Sequence, residues 1–290
     1  MMGFNITNNY INDSDQVYFI GEIGINHNGD IDLAKKIIFE AKKAGFSSVK
    51  FQKRNPELST PEDIKHRLRE TPWGEMSYID YKHKIEFGKN EYDEIAKYCS
   101  ELEIDWFASC WDIDSLNFLL EYEPPVLKLA SASITDKNLL EAYVQTKLPI
   151  IMSTGMSTME EIKKAHKILN TNPLAILHTT STYPCPPEEL NLNMIKTLIK
   201  EFPNNPIGYS GHESGLSTSI AAAVLGAKII ERHITIDRAL WGTDQSASLA
   251  PSGLRSLVGH IRTIEKSLGD GVKKVYDSEL QSRKKLRRDK

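Results

Sequence analysis

The sequence predicts an α/β protein of the (β/α)8 TIM-barrel class, with a short N-terminal extension and a long loop after the second strand. Three observations carry this. Eight short runs are almost continuously apolar and rich in β-branched residues, the signature of parallel strands buried on both faces. Each is followed by a stretch with helical, amphipathic periodicity. The alternation fills about 250 residues, the usual size of such a barrel. A doubly wound open sheet is the competing arrangement. It usually carries a Gly-rich phosphate loop after an early strand, and the glycines of "GEIGINHNG" do not fit GxGxxG.

The strands are expected at 17–24, 47–52, 104–110, 126–131, 149–154, 174–180, 207–212 and 227–235, each bounded by Gly, Pro or polar clusters. The helices are expected at 31–44, 90–102, 113–122, 136–146, 157–169, 190–201, 216–226 and 252–268. Two carry start signals. Ser157-Thr158 precedes Glu160-Glu161, and Asp136 precedes "KNLLEAYV". Residues 1–16 form an extension able to make a hairpin that plugs the barrel floor. Residues 17–270 form the barrel and 271–290 a basic tail, whose "RKKLRR" reads as a frayed, solvated end. Residues 53–89 make an unusually long connection, rich in charge and aromatics, of the kind that forms lids or binding loops.

Composition narrows the function. The 290 residues are 40% hydrophobic and 26% charged with a net charge of −3, which gives no electrostatic case for nucleic acid or an anionic membrane. No run reaches the length of a membrane span, and the N-terminus lacks the pattern of a signal peptide. Cys99, Cys110 and Cys185 show neither CxxC spacing nor an even count, so no disulfide framework is expected. A cytoplasmic protein fits best.

In a barrel the active face lies at the C-terminal strand ends. Polar residues gather there: Glu22, with Asn26 beyond it; Lys50 and Gln52; Ser109 and Cys110; Lys128, Ser131 and Ser133; Ser153; Ser181 and Tyr183; Ser210 and His212; Glu231 and His233, with Asp244 in the following loop. A lysine within a buried strand is costly unless its charge is balanced. Lys50 and Lys128 therefore imply either an anionic ligand or pairing with Glu22 or Glu231. With the serine hydroxyls they suit a small molecule bearing phosphate and carboxylate. A lone histidine on an apolar strand is commonly a hydrogen-bonded core residue. His212 and His233, however, end neighbouring strands about 4.8 Å apart. With Glu22 near, they could share Mn²⁺, Mg²⁺, Fe²⁺ or Zn²⁺. His27 and His178 read as positioning and packing residues, and Trp111 and Trp241 as walls. Cys110 is a weak nucleophile candidate with no histidine placed to activate it.

The ordered motifs "GEIGINHNG", "VKFQKR", "LKLAS", "MSTGMST", "HTTSTYPCPPEELNL", "GYSGH", "ERHITIDR" and "GTDQSAS" resemble the N-acetylneuraminate (sialic acid) synthase family over roughly residues 17–277. The resemblance implies a TIM-barrel enzyme. It would join C3 of phosphoenolpyruvate to the aldehyde of an open-chain sugar such as N-acetylmannosamine, giving a nine-carbon ulosonic acid and phosphate. It further implies a divalent metal, Mn²⁺ or Mg²⁺, on His212 and His233. Phosphoenolpyruvate would meet Lys50, Lys128, Ser153, Ser181 and Ser210, with Ser109 and Ser131 nearby. Glu22, Tyr183 and Asp244 would contact water or sugar, and Asn26, Gln52 and Ser133 complete the expected substrate-binding set. A homodimer is expected on the same ground. Three departures fall on the sugar side. No C-terminal antifreeze-like domain follows the eighth helix, Ser133 stands where many members have glutamate, and Asp244-Gln245 replaces an Asp-His pair. Two other readings stay open: an enzyme for a phosphorylated sugar, of the 3-deoxyheptulosonate or 3-deoxyoctulosonate phosphate type, with Arg54, Arg67 and Arg69 as a phosphate clamp, and a barrel that has lost catalysis.

Overall fold

The computed structural model describes residues 3–11 and 16–288. Eight parallel strands close into one barrel in sequential order: β1 (Tyr18–Gly24), β2 (Ser48–Lys53), β3 (Asp105–Cys110), β4 (Leu127–Leu129), β5 (Ile150–Ser153), β6 (Leu174–Thr179), β7 (Ile207–Gly211) and β8 (Ile229–His233). β8 pairs back onto β1. The outer ring is α1 (Ile31–Ala44), α2 (Lys89–Glu101), α3 (Ile113–Leu120), α4 (Lys137–Gln145), α5 (Met159–Leu169), α6 (Met194–Glu201), α7 (Ser217–Val224) and α8 (Pro251–Leu268). The predicted elements are all present, most of them trimmed by one or more residues at an end.

The local chemistry explains the boundaries. Asp30 caps α1 by accepting from the backbone N–H groups of Asp32 and Leu33, and Gly45 ends it in the left-handed region at φ 90°. Thr158 and Glu161 form the expected capping box of α5, and Asp136 accepts from Leu139 N to start α4.

Strand alternation separates two apolar layers. Outward residues such as Phe19, Ile23, Phe51, Ile176 and Ile230 pack beneath the helices. Inward residues Tyr18, Ile20, Phe107, Val126, Ile151, Ala175, Leu177 and Ile229 fill the barrel floor together with Phe4, Ile6 and Ile11. The last three belong to an N-terminal hairpin in which Phe4–Ile6 pairs with Asn9–Ile11. The extension thus plugs the open end of the barrel, where the strands alone leave apolar side chains facing water.

Two segments are more ordered than the sequence led one to expect. The 53–89 connection contains two helical turns, Pro56–Ser59 and Glu62–Lys65, a small hairpin of Leu68–Arg69 with Met76–Ser77, and a helix Tyr78–Ile85 capped by Ser77. In the tail, Leu280–Leu286 forms a helix instead of a frayed end, although every side chain from 271 to 288 is exposed.

Ile6 is fully buried in the floor. Ile6→Ala is expected to lower the unfolding free energy by about 2–4 kcal/mol. Urea titration would show this, and a loss below about 0.5 kcal/mol would mean that the hairpin is not part of the cooperative core.

Candidate active site

The register fixes the site. Going up the inward face of β8, Ile229 lies in the floor, Glu231 two residues higher and His233 at the mouth. His233 pairs with Glu22 across β8 and β1, and Glu22 pairs with Lys50 across β1 and β2. Ser210 lies beside Glu231, and Ser109 beside Lys128. An apolar floor is thus overlaid by a charged layer and then by the histidine pair.

The charged layer is a continuous network. Lys50 Nζ lies 2.9 Å from Glu22 Oε2 and 3.4 Å from Glu231 Oε1, and donates to Ser109 Oγ at 2.9 Å. Lys128 Nζ donates to Ser153 Oγ at 2.7 Å and to Leu129 O at 3.2 Å, with Glu231 Oε1 at 3.8 Å. Gln52 donates to Glu22 Oε1 and Ser210 to Glu231 Oε1. Both lysines therefore have carboxylate partners, so they are not two spare positive charges awaiting an anion. Their environments still differ. Burial opposes the charge on Lys50, but Glu22 and Glu231 outweigh it and raise its pKa. Burial dominates at Lys128, which has only the more distant Glu231 and also feels Lys50; its pKa is lowered to about 8. Burial would raise Glu231, but Lys128, Lys50 and His233 reverse this and hold it at about 2. Glu231 is therefore ionised, fully buried and central. In the sequence it stands among the polar strand-end residues and as a possible lysine partner, outside the expected substrate and metal set. The alternation in "IIERH", two residues from His233 on the same face, was the signal for it.

Backbone geometry shapes the walls. Gly24 sits at φ 55° at an irregularity between β1 and β2, where a Cβ would lie 3.0 Å from Glu22 Oε1 and 3.1 Å from Gln52 Nε2. At Gly155 a Cβ would fall 2.1 Å from Ser181 Oγ, and the Gly155 N–H donates to Ser131 Oγ at 2.9 Å. A side chain at either glycine would displace pocket groups.

At the mouth the rings of His212 and His233 lie 5.4 Å apart, with the Tyr183 ring 4.1 Å from His212. His212 Nδ1 donates to Thr180 O at 2.7 Å, which leaves Nε2 with its lone pair free. Burial first, then His233, lowers its pKa to about 4, so the ring is neutral. His233 Nδ1 is buried without a hydrogen-bond partner, 3.9 Å from Asp244 Oδ2. A neutral imidazole and a partnerless buried nitrogen on facing rings suit a metal ion. Among the described residues, however, no group of three or more His, Cys, Asp and Glu is gathered as a ligand set. Glu22 is held by Lys50 and Gln52 instead.

Gln52, Ser109, Ser131, Ser153, Ser181, Tyr183 and Ser210 line the same cavity as Glu22, Lys50, Lys128 and the histidines. Asn26, Ser133 and Asp244 do not. Asn26 is buried beneath the β8–α8 loop, donating to Ile234 O and Ser248 Oγ, while Ser248 donates to Asp244 O. It holds the Asp244 loop in place. Ser133 is buried at the end of the helical turn Ser131–Ser133. His27 stacks on Phe87 at 3.8 Å, and burial drives its pKa to about 3. His178 is bonded to Leu190 O, and the Cys110 thiol faces Ser115 O with its pKa raised by burial to about 12. None of these three reaches the cavity.

A closed (β/α)8 barrel with charged and hydroxyl side chains gathered at the C-terminal strand ends has the form of an enzyme active site. A model described as the NeuB family matches residues 37–273, and the chain belongs to that family. It is 39% identical over 279 residues to the N-acetylneuraminate-9-phosphate synthase of Mus musculus, covering 93% of this chain and 76% of that protein. It is 34% identical to the N,N'-diacetyllegionaminic acid synthase of Legionella pneumophila, covering 93% and 78%. The fold superposes on the crystal structure of an N-acetylneuraminic acid synthetase from Leptospira borgpetersenii in complex with citrate. The TM-score is 0.86 at 34% identity, covering 99% of this chain and 98% of that one.

Anion binding that uses the Lys128 ammonium should weaken as pH rises through about 8, by about tenfold per unit beyond it, because the proton that is lost carries the charge. Calorimetric titration of phosphoenolpyruvate across this range would test it. A flat affinity would remove Lys128 from the anion contact.

Proposed function

We propose that the chain condenses phosphoenolpyruvate with the aldehyde of an open-chain hexosamine, N-acetylmannosamine or a relative, releasing phosphate and a sialic-acid-like nonulosonic acid. The observation that carries this reading is the Lys50–Glu22–Glu231–Lys128 network. It lies beneath two facing histidines, inside a barrel of this family.

Lys128 and Lys50 meet the carboxylate and phosphate of the enol, and the hydroxyls of Ser131, Ser153 and Ser181 fix its orientation. Lys128, with its nearest carboxylate 3.8 Å away, can turn a proton to the anion, whereas the three protons of Lys50 face Glu22, Glu231 and Ser109 and it must give one of these up to do the same. Tyr183, exposed at the mouth beside the histidine rings, has its pKa raised by partial desolvation and by Asp244, and so remains a neutral phenol able to donate to the sugar. Carbon–carbon bond formation leaves a cationic C2. Water adds there, and Glu22 takes its proton while Lys50 and Gln52 hold the carboxylate in position. The tetrahedral C2 then expels phosphate and becomes the keto group. A divalent metal, Mn²⁺ or Mg²⁺, would be held by His212 and His233 and would supply Lewis acidity toward the aldehyde oxygen. The assembly proposed with this reading is a homodimer, and the compartment is the cytoplasm, where phosphoenolpyruvate is produced.

Phosphate release from phosphoenolpyruvate is expected only in the presence of an acceptor sugar. It should stop with EDTA and return with Mn²⁺. Glu22→Gln should lower kcat by roughly 100-fold, and near-normal turnover would remove Glu22 as proton acceptor. His233→Ala should weaken Mn²⁺ binding, followed by the metal's paramagnetic resonance signal. Unaltered binding would remove the histidine pair as its holder.

A further inference from the structure

The outward face of a barrel strand meets the surrounding helices with apolar side chains, as Phe19, Ile23 and Ile230 do. Arg232 and Glu213 depart from this. Their side chains are 0% and 2% exposed, Arg232 Nη1 lies 3.0 Å from Glu213 Oε1, and neither residue lines the cavity. Arg232 Nη1 also donates to Ser219 Oγ at 2.8 Å and to Gly215 O at 2.9 Å. Its Nη2 donates to Glu213 O at 2.6 Å and to Ala247 O at 3.4 Å. Glu213 Oε1 accepts from Ser219 Oγ at 2.6 Å, and Oε2 accepts from Tyr209 Oη at 2.8 Å. Gly211 makes room for the carboxylate, since a Cβ there would fall 2.3 Å from Glu213 Oε2. No step of the proposed reaction uses this pair.

A buried ion pair is seldom more stable than apolar side chains of the same volume, so stability alone does not account for it. What a guanidinium fork adds is direction, because its hydrogen bonds fix distance and angle together. Here the fork acts on the backbone behind the two histidines. Successive strand residues point to opposite faces, so Arg232 stands back to back with His233, and Glu213 directly follows His212 in the chain. Arg232 joins β8 to the turn after β7 at Glu213 O and Gly215 O, and to the loop after β8 at Ala247 O. Both histidines are bound to segments tied to this pair. His233 O accepts from Leu249 N–H at 2.8 Å, and His212 O accepts from Cys185 N–H at 2.9 Å. Cys185 is in turn bridged to Glu213. A bound ion needs its ligands held to within about 0.5 Å of their working positions. The 5.4 Å between the rings of His212 and His233 is set by these strand ends. We propose that Arg232 and Glu213 are positioning residues, whose buried ion pair fixes the separation of His212 and His233 and thereby sets their affinity for a divalent cation. This deepens the metal reading above and rests on it.

The test measures two affinities in the wild type, R232K and E213Q. Mn²⁺ binding is followed by the paramagnetic resonance signal of the free ion, without either substrate. Phosphoenolpyruvate binding is followed by calorimetry, without metal. R232K keeps the charge and loses the fork, whereas E213Q keeps the shape and loses the charge. Each is expected to weaken Mn²⁺ roughly tenfold or more, with phosphoenolpyruvate affinity held within about twofold. Lys50, Lys128 and Ser153, which meet that substrate, stand on β2, β4 and β5, away from the pair. A merely structural role would loosen the barrel and weaken both ligands alike. Unchanged Mn²⁺ affinity, or an equal loss for both ligands, would overturn the proposal. Should R232K or E213Q not fold, S219A, which removes a single hydroxyl from the network, is read in the same way. H233A separates the proposal from the metal reading. If H233A binds Mn²⁺ as the wild type does, or the wild type binds none, the metal reading fails, and the ring ¹⁵N signals of His212 decide the clamp. A fixed Nδ1–H tautomer in the wild type that averages with the other in R232K supports it, and the same signal in both overturns it.

Discussion

The buried network of Lys50, Glu22, Glu231 and Lys128 is the constraint on which the rest of the molecule depends. Four charges lie inside a barrel, each less than 6% exposed. An isolated ion there would cost several kcal/mol, and removing one member of a buried pair costs about 3–5 kcal/mol because its partner is stranded. The arrangement is tolerated because strand register places acid beside base: Glu22 next to Lys50, and Glu231 reaching both lysines. Serine hydroxyls and Gln52 take up further hydrogen-bonding capacity. The apolar floor beneath, closed by the N-terminal hairpin, keeps water from entering from below and keeps these interactions strong.

The same network divides the labour of the site. Because Glu231 is nearer to Lys50 than to Lys128, one ammonium is firmly charged and the other is held more loosely. The looser one, next to Ser153, is better placed to respond to an incoming anion. The histidine pair stands above this layer rather than within it. Its supports come from the neighbouring positions: Arg232 is fully buried and donates to Glu213 Oε1 at 3.0 Å, to Glu213 O and to Ser219 Oγ, tying the loop after β7 to β8. Each histidine is thus flanked in sequence by a residue whose only evident task is to hold the two strand ends together.

Much of this was legible in the sequence. Short apolar runs alternating with amphipathic helices gave the barrel, since buried parallel strands and one-sided helices leave distinct periodicities. The strand ends then named most of the cavity-lining residues. Asn26, Ser133 and Asp244 lie outside the cavity lining, because proximity to a strand end does not say which way a loop side chain turns. Asn26 donates to the backbone of Ile234, and Ser133 is buried in the turn that Ser131 opens. The order within 53–89 was missed because its elements are two to eight residues long, too short for periodicity to show.

The sequence by itself determined the barrel, the family and the kinds of side chain at the mouth, because these follow from local periodicity and from motifs in order. Only the tertiary structure decided charge balance. Whether Lys50 and Lys128 were spare cations or paired ones depended on contacts between strands as much as 181 residues apart in the chain, from Lys50 to Glu231. The structure also separated paired cations from unpaired ones. Lys50 has two carboxylates within reach, whereas Lys82, also buried, lies over the rings of Tyr78 and Tyr81 and, among the described residues, forms no ion pair. The physical reason is that the stability of an ion depends on what lies within a few ångströms, and chain order does not specify that distance.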